Sequence, residues 1–275
     1  MRAAWSLVSF SGTDLPWKSR IRRTTYHILE ALRLRPMVWN VGNAFKVHEF
    51  RQLVELSGLK KTHTVLDLGC GTGLQTVLLA RRCASILGLD VSPKAILEAQ
   101  ERAIRCGVAD RAKFRCSPVE QSELPSNSFD RVYSFCVLEH IGNLDQVLAE
   151  LLRVMKPGAE MHVTVDSLAN VHDPRLIEKH RQDHFVVEYF TPASVSERLT
   201  RAGFELQEVR PLFTSELASR AFEQRIINSG HLGMLAKLQL YLELRQEKNR
   251  DAKEGIMVLV RARKPLAPMG MTKSA

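Results

Sequence analysis

The stretch "VLDLGCGTGLQTV", Val65–Val77, decides the fold of this chain. An apolar run ends at Gly69, three glycines alternate with other residues, and a helical pattern begins directly after them. A glycine turn between a strand and a helix usually lies against a nucleotide, because backbone without side chains can approach the ligand closely. Asp67, two residues before the first glycine, restricts which nucleotide can lie there.

The same alternation of short apolar runs and helical stretches continues along the chain. Such a pattern predicts βαβ units and a parallel sheet with helices on both faces. The predicted strands are 64–68, 85–90, 113–116, 129–135, 159–165, 204–209 and 256–263, and the predicted helices include 74–82, 92–106 and 143–156. Ser92 followed by Pro93 is a typical helix start, with a side-chain cap before a proline in the first turn.

Composition and pattern divide the chain of 275 residues into three parts. Residues 1–61 form a predicted N-terminal helical segment, with amphipathic stretches "RTTYHILEALRLRP" and "NAFKVHEFRQLVELSGLKK", the second ended by Gly58. Residues 62–265 form the predicted α/β domain, and 266–275 a flexible tail. Within the domain, the irregular insertion 166–190 and the mostly helical insertion 210–255 are too long for plain connections, so we expect a cap or lid.

The glycine turn does not fit the two commonest phosphate-binding motifs. A dinucleotide fingerprint needs G-x-G-x-x-G, and the position of its third glycine is occupied by Leu74. A P-loop requires G-K-[ST], which does not follow. Moreover, a pyrophosphate beside Asp67 would meet a like charge in a partly dry site, which costs free energy.

A nucleotide that is cationic at this end suits the same residues. S-adenosylmethionine carries an α-ammonium, a sulfonium and a ribose, and it has no phosphate. Asp67 can accept a hydrogen bond from the ammonium, and Asp90, at the end of the next strand, can accept from both ribose hydroxyls. Either aspartate alone is weak evidence, whereas strand–Asp-x-Gly-x-Gly-x-Gly–helix–strand–Asp is a specific combination. The sequence therefore predicts S-adenosylmethionine as the cofactor.

Four segments carry a family resemblance: "VLDLGCGTG", "GLDVSPKAI", "LPSNSFDRVYSFCVLEHI" and "LAELLRVMKPGAEMHV". They resemble the successive motifs of the class I S-adenosylmethionine-dependent methyltransferases, most closely the ubiquinone/menaquinone-biosynthesis-type group that acts on small molecules. The resemblance runs from about 60 to 165, with a looser match over 189–209. It implies a Rossmann-like, seven-stranded, mostly parallel sheet whose last strand, 256–263, is antiparallel.

The resemblance also implies positions for the cofactor. The three glycines would line its methionine end, Asp90 and Val91 would hold ribose and adenine, and the residues after strand four would flank it. The family often has an aspartate before strand four that binds the adenine amino group; here Ser117 or the Val119 backbone stands in its place. The predicted cofactor contacts are Asp67, Gly69, Cys70, Gly71, Gly73, Asp90, Val91, Ser117, Val119, Phe135 and Cys136.

Methyl transfer needs a base only when the acceptor must lose a proton. His140, just past strand four, is the best candidate because its ordinary pKa lies near neutrality, although it could equally pack against the following helix. His180, His184 and Tyr189 lie in the 166–190 insertion, where they could touch the acceptor or simply be solvated. Close Cys or His ligand pairs are missing from this insertion, so the sequence predicts no metal site.

Missing motifs narrow the acceptor. No [DN]-P-P-[YF] follows strand four, where "SFCV" stands instead, and no Pro-Cys pair marks a nucleophile for pyrimidine carbon. These absences favour O- or C-methylation of a small hydrophobic metabolite, such as a quinone, polyketide, phenolic or lipid precursor. The Met- and Leu-rich segment 231–244 could form an apolar lid, but its spacing fits core packing equally well.

Charge distribution keeps three other hypotheses open. The net charge of +9 lies in the flanks: residues 1–61 carry 11 Lys/Arg against 4 Asp/Glu, and 237–275 carry 9 against 4. Basic flanks could dock RNA, which would make the chain an RNA methyltransferase. The chain could instead be a non-catalytic cofactor-binding partner protein. Finally, "KSRIRRTTYHILEALRLR" could lie on a membrane surface.

Cysteine usage and hydropathy address localisation. The five cysteines show no C-x-x-C spacing, which favours reduced thiols. The N-terminus is a weak match to a secretory signal or transit peptide, and no stretch is long and apolar enough to cross a membrane. We therefore expect a cytoplasmic protein, with a peripheral membrane contact through the basic N-terminal segment as an option. Its oligomeric state does not follow from the sequence.

Overall fold

The computed structural model describes residues 44–227, 234–246 and 252–266. They contain one seven-stranded sheet in the order β3-β2-β1-β4-β5-β7-β6. Strands β1 to β5 are parallel, and β7 runs antiparallel to both its neighbours, β5 and β6. The strands are β1 Thr64–Leu68, β2 Ser85–Asp90, β3 Ala112–Cys116, β4 Phe129–Phe135, β5 Met155–Asp166, β6 Glu205–Leu212 and β7 Met257–Arg263. The predicted fold class, including the antiparallel last strand, is confirmed.

Eight α-helices and two short 3-10 turns connect these strands within the described residues. The helices are α1 Ala44–Leu56, α2 Leu74–Ala80, α3 Pro93–Arg105, α4 Leu144–Val154, α5 Pro174–His184, α6 Pro192–Arg201, α7 Glu216–Ile227 and α8 Met234–Gln246, and the turns are Val119–Gln121 and Leu138–His140. The start of α3 is as predicted, because the Ser92 hydroxyl accepts from the Ala95 N–H at 3.3 Å. Gly58, at φ 55°, follows the end of α1 in the left-handed conformation that ends helices.

The central strands are apolar because helices cover both faces of the sheet. Val65 belongs to the core cluster on one face, with α1, α7 and α8, whereas Leu66 belongs to the cluster on the other face, with α4 and α6. Helix α1 packs closely: Phe50 stacks on Phe135 of β4 at 5.9 Å between ring centroids. The division at residue 61 stays a prediction, but α1 shares the core of the α/β domain.

Three predicted segments differ from the structure. The helix predicted over 143–156 ends at Val154, because Met155 already pairs with Phe129 and begins β5. The 166–190 insertion is partly regular, since it contains α5. Strand β6 extends to Leu212, three residues beyond the prediction, because its end pairs with the start of β7.

Several predictions lie outside the described residues. They concern the helix "RTTYHILEALRLRP", the tail beyond residue 266, and the membrane-binding segment "KSRIRRTTYHILEALRLR". Within the described ranges, no helix combines the length and the apolar character that crossing a bilayer requires.

Gly69 and Gly107 form a matched pair for testing the glycine turn. Both have φ values near +65°, but an added Cβ at Gly69 would overlap the Val137 side chain, whereas one at Gly107 would meet no atom within 4 Å. We predict that Gly107→Ala lowers the free energy of unfolding by about 1–2 kcal/mol, the cost of left-handed backbone for an L-residue. Gly69→Ala should cost clearly more, as measured by urea unfolding; equal losses would show that the Val137 contact has no energetic weight.

Candidate active site

The glycine turn connects β1 to α2 at the carboxyl ends of the parallel strands, where ligands of open α/β sheets bind. Gly69, Gly71 and Gly73 have φ values of 69°, 50° and 75°. A Cβ at Gly69 would strike Val137, and so this residue lets the turn pack against the end of β4. A Cβ at Gly71 would meet no atom within 4 Å, so the backbone there faces open space that a ligand can fill.

Asp90 fixes the position of this turn. One carboxylate oxygen accepts from the Gly71 N–H at 2.8 Å, and the other accepts from the Ser92 N–H at 2.9 Å. Asp90 is only partly buried. Because each carboxylate oxygen has a second lone pair, both oxygens can still accept from a ligand's hydroxyl groups.

Asp67 lies deeper, with only 1% of its surface exposed. It accepts a hydrogen bond from the Thr76 hydroxyl at 2.5 Å. Burial raises the pKa of Asp67 to about 7, and the negative charge of Asp90 adds to the increase. A cation near Asp67 would favour its ionised form, since an opposite charge lowers the pKa of a carboxyl group.

The other residues predicted on the cofactor side surround this turn. Cys70 is buried, and its N–H donates to the Leu89 carbonyl at 2.9 Å. Val91 is 40% exposed, and the Ser117 N–H donates to the Asp90 carbonyl at 3.0 Å. Val119 is buried in the 3-10 turn after β3. The structure thus brings these residues together at the ends of β1, β2 and β3, while their contacts with cofactor stay predictions.

Gly88 is a member of this region that sequence analysis missed. A Cβ there would lie 2.8 Å from the Cys70 Sγ and 2.8 Å from the Phe114 ring. Gly88 pairs with Asp67 in the sheet, so it makes room for the turn to fold back over β2. "SILGLD" does contain a glycine inside a predicted strand, and such a glycine often marks a close backbone approach.

Beyond the end of β4, Cys136 joins a polar cluster that α1 supplies in part. Its Sγ lies 3.3 Å from the Lys46 Nζ and 3.2 Å from a carboxylate oxygen of Glu49. Glu49 is fully buried, forms an ion pair with Lys46 at 2.9 Å, and accepts from the Thr164 hydroxyl. Phe135, one residue earlier, is buried against α1. Its side chain has no polar atom and takes no part in the hydrogen bonds of this cluster.

Two further carboxylates complete the cluster. Glu139 is fully buried, and its Oε1 accepts from the Asp166 N–H at 3.3 Å, whereas its Oε2 has no hydrogen-bond partner. Burial raises the pKa of Glu139 well above its ordinary value and raises the pKa of Asp166 to about 6. Nearby negative charges add to both increases: Asp166 acts on Glu139, and Glu49 acts on Asp166.

Cys136, Glu139 and Asp166 also form the one group that could hold a metal ion among the residues the structure describes. Their ligand atoms lie within 4.8 Å of one another. Sequence spacing could not reveal this group, because Asp166 comes from a different strand. The earlier prediction of no metal site is not tested by this geometry.

His140 lies in the 3-10 turn after β4 and is partly buried. Burial lowers its pKa, and a hydrogen bond with the Phe185 backbone opposes this decrease. His140 is therefore neutral at pH 7 and able to accept a proton. The His184 charge also acts on its pKa, so the two histidines face the same region.

His180 and Tyr189 of the insertion are packed rather than solvated. His180 is 6% exposed, its Nδ1 lies 2.9 Å from the Tyr189 hydroxyl, and its Nε2 lies 3.8 Å from an Asp166 oxygen. The Tyr189 hydroxyl also donates to the Ile177 carbonyl. Burial lowers the pKa of His180 to about 3, so the ring is neutral.

The chemistry of these residues fits a cofactor that is cationic and free of phosphate. Open space at Gly71 and the two oriented oxygens of Asp90 suit a ribose, and Asp67 with its raised pKa suits a nearby positive charge. Two carboxylates, Asp67 in β1 and Asp90 at the end of β2, lie beside the glycine turn and would repel a pyrophosphate.

Comparison with known proteins gives the same result. Residues 66–163 match the family model described as "Methyltransferase domain". The chain is 31% identical over 205 residues to ubiquinone biosynthesis O-methyltransferase of Azorhizobium caulinodans, covering 70% of this chain and 77% of that protein. The chain belongs to the class I S-adenosylmethionine-dependent methyltransferases. The predicted family, enzyme class and cofactor are confirmed.

The chain is also similar to a sterol methyltransferase and to several solved structures. Sterol 24-C-methyltransferase erg-4 of Neurospora crassa is 34% identical over 157 residues, 54% of this chain and 41% of that protein. Among solved structures, the [4+2]-cyclase SpnF has a TM-score of 0.59 at 21% identity, covering 79% of this chain and 81% of SpnF. Geranyl diphosphate C-methyltransferase from Streptomyces coelicolor A3(2) has a TM-score of 0.60 at 14% identity, and the match covers 78% of this chain and 76% of that protein. Both structures support the fold alone.

The raised pKa of Asp67 predicts a pH-dependent stability of the ligand-free methyltransferase. A carboxyl group whose folded pKa is raised stabilises the fold fully below its unfolded pKa of 3.8, and this contribution is lost as the pH rises through about 7. Asp67→Asn removes the titration and keeps an acceptor for Thr76. Its free energy of unfolding, relative to wild type, should therefore rise between pH 4 and 7, by at most roughly 4 kcal/mol.

Urea unfolding at several pH values measures this difference. Asp110→Asn is the matched control, because Asp110 is exposed and its pKa is lowered by the hydrogen bond from Arg111. This control should show no rise toward pH 7. A flat difference for Asp67→Asn would show that folding does not raise the pKa of Asp67.

Proposed function

We propose that this methyltransferase transfers a methyl group to an oxygen or carbon of a small hydrophobic metabolite. The observation that carries the proposal is the group of aromatic and apolar side chains that α1, α5 and α7 bring together. Names of relatives support it: one is an O-methyltransferase of ubiquinone biosynthesis and another a sterol C-methyltransferase. The acceptor class of this chain is therefore inferred as a quinone, phenolic, polyketide or lipid precursor.

We infer that the site has two ends, one that binds the cofactor and one that binds the acceptor. Asp90 and the glycine turn hold the ribose and the methionine portion, and Asp67 lies near the ammonium. Val91, Ser117 and Val119 border the adenine, and Phe135 and Cys136 separate the cofactor from the acceptor. When bound, the cofactor supplies a methyl carbon activated by its sulfonium; the protein positions the acceptor in line with that carbon and excludes water.

His140 is the proposed base for acceptors that must lose a proton. A neutral imidazole is required, and the lowered pKa of His140 provides it throughout the physiological range. Its partly buried position in the 3-10 turn that follows Cys136 supports this role. An RNA acceptor, a non-catalytic role and the peripheral membrane contact have no support from the described residues.

Turnover of acceptor panels with labelled cofactor tests the acceptor class. We expect methylation of phenolic or lipid acceptors and none of structured RNA or bulk protein. Methylation of RNA or protein alone would reject the proposal. The panel also separates the oxygen from the carbon acceptors, because the product of each can be identified by mass spectrometry and proton NMR.

His140→Gln tests the base. For a phenolic acceptor, we expect the rate constant of methyl transfer to fall about 100-fold, the lower end of the usual contribution of general base catalysis. The wild-type rate should be constant at neutral pH and fall only below pH 6.5, because the neutral ring is the active form and its pKa is lowered. The exposed His172→Gln variant is the control; equal rates in all three proteins would mean that His140 only packs against its neighbours.

A further inference from the structure

Arg225 lies on α7, near the region where we propose that the acceptor binds. Phe222, one turn earlier on the same helix, contacts the rings of Phe45 and His180. The ring centroids are 5.7 Å apart in the first pair and 5.5 Å apart in the second. The Arg225 guanidinium lies over the Phe45 ring, 5.3 Å from its centroid. Because positions three apart share one face of a helix, Arg225 and Phe222 point toward the same region.

Among the described residues, no carboxylate forms an ion pair with this guanidinium, which instead makes a cation–π contact with Phe45. Burial lowers the pKa of Arg225, while the negative charges of Asp166 and Glu49 oppose the decrease. By contrast, the buried Arg102 forms an ion pair with Glu98 and donates to the Thr72 hydroxyl. Arg225 is only partly buried, but a guanidinium held against aromatic rings without such partners is stabilised when an anion binds it.

The nearby acids are already engaged. Glu49 pairs with Lys46, and Asp166 lies beside His180 and Glu139 with a raised pKa, so it is partly protonated near pH 6. A protonated carboxyl group donates a hydrogen bond to an incoming anion rather than repelling it. Lys46 and Arg225 thus have different tasks, because Lys46 is neutralised inside the protein.

The side chains next to Arg225 include planar rings. Phe45 and Phe222 meet edge to face, and His180 lies against Phe222 with an angle of 44° between the rings. The positive charge of Arg225 contributes to the lowered pKa values of His180 and His184, so both histidines are neutral beside it. A flat apolar group would therefore be covered by rings while an acid group met the guanidinium.

We propose that Arg225 binds a carboxylate on an aromatic acceptor, so that the substrate is an aromatic acid and not an uncharged hydrocarbon. The inference rests on the proposed function, and it names the acceptor class for that site. A guanidinium binds a carboxylate with two parallel hydrogen bonds, and one positive charge matches one negative charge. A phosphate, with nearly two charges, would need a second cation, and the neighbouring Lys46 is paired with Glu49.

Calorimetry on the protein saturated with demethylated cofactor tests this inference. The probes are 4-hydroxycinnamate and 4-hydroxycinnamamide, which share a ring and a shape and differ in charge. Wild type should bind the acid about tenfold or more tightly than the amide, as expected for a charged hydrogen-bonded pair. Arg225→Met should remove this preference, and Arg225→Lys should keep part of it, because lysine retains the charge but cannot bind with two parallel bonds.

Arg220→Met is the matched control, since Arg220 is exposed on the same helix and paired with Glu216. It should keep the full preference for the acid. Wild type that binds the amide as well as the acid, or that does not bind the acid, overturns the inference whether or not the Arg225 variants fold. Binding of demethylated cofactor and turnover of uncharged phenols are measured in parallel, and they report on the proposed function independently of Arg225.

Discussion

The hydrogen bonds from Gly71 and Ser92 to the Asp90 carboxylate hold the nucleotide end of this enzyme together. They join two segments that follow different strands, the glycine turn after β1 and the N-cap residue of α3 after β2. Two N–H donors offset the desolvation of the carboxylate, and its position next to the N-terminus of α3 adds the favourable field of the helix dipole. The oxygens that order the turn are thus also those that remain available to a ligand.

This arrangement depends on close packing of small residues. The turn folds back over the sheet because Gly88 leaves room for Cys70 and Gly69 leaves room for Val137. Larger side chains at either position would push the turn outward and separate the Gly71 N–H from Asp90. Cofactor recognition is therefore a property of the sheet register, in which Asp67 pairs with Gly88, as much as of the loop itself.

The acceptor end is built differently. The family model stops at residue 163, whereas Glu49, Asp166 and Arg225 come from α1, the end of β5 and α7, outside it. In the proposed division of the site, the cofactor lies within the segment that the family model covers, and residues outside that segment border the acceptor. Carboxylates are buried at both ends, since Glu49 and Glu139 have no exposed surface and Asp67 has 1%.

Sequence patterns predicted what is local and missed what is not. The strands 64–68, 85–90 and 129–135 were predicted at their observed bounds, because buried parallel strands are short apolar runs ended by turn residues. Met155 was assigned to a helix because Pro157-Gly158 looks like a helix end, yet the strand pairing with Phe129 prevails. The contact of Glu49 with Thr164 joins residues 115 positions apart, and no local pattern carries such information.

The buried carboxylates at both ends link stability to ligand binding. The pKa of Asp67 is raised to about 7 and that of Asp166 to about 6, so near neutral pH part of each population retains its proton. Ionising them in a site without ligand costs free energy, because burial disfavours the charged form. A positive charge near Asp67 reverses this cost, lowers its pKa and expels the proton. The proposed contact of Asp67 with the cofactor's ammonium therefore implies that cofactor binding near neutral pH releases protons and raises the stability of the fold together, since both follow from the same carboxylate.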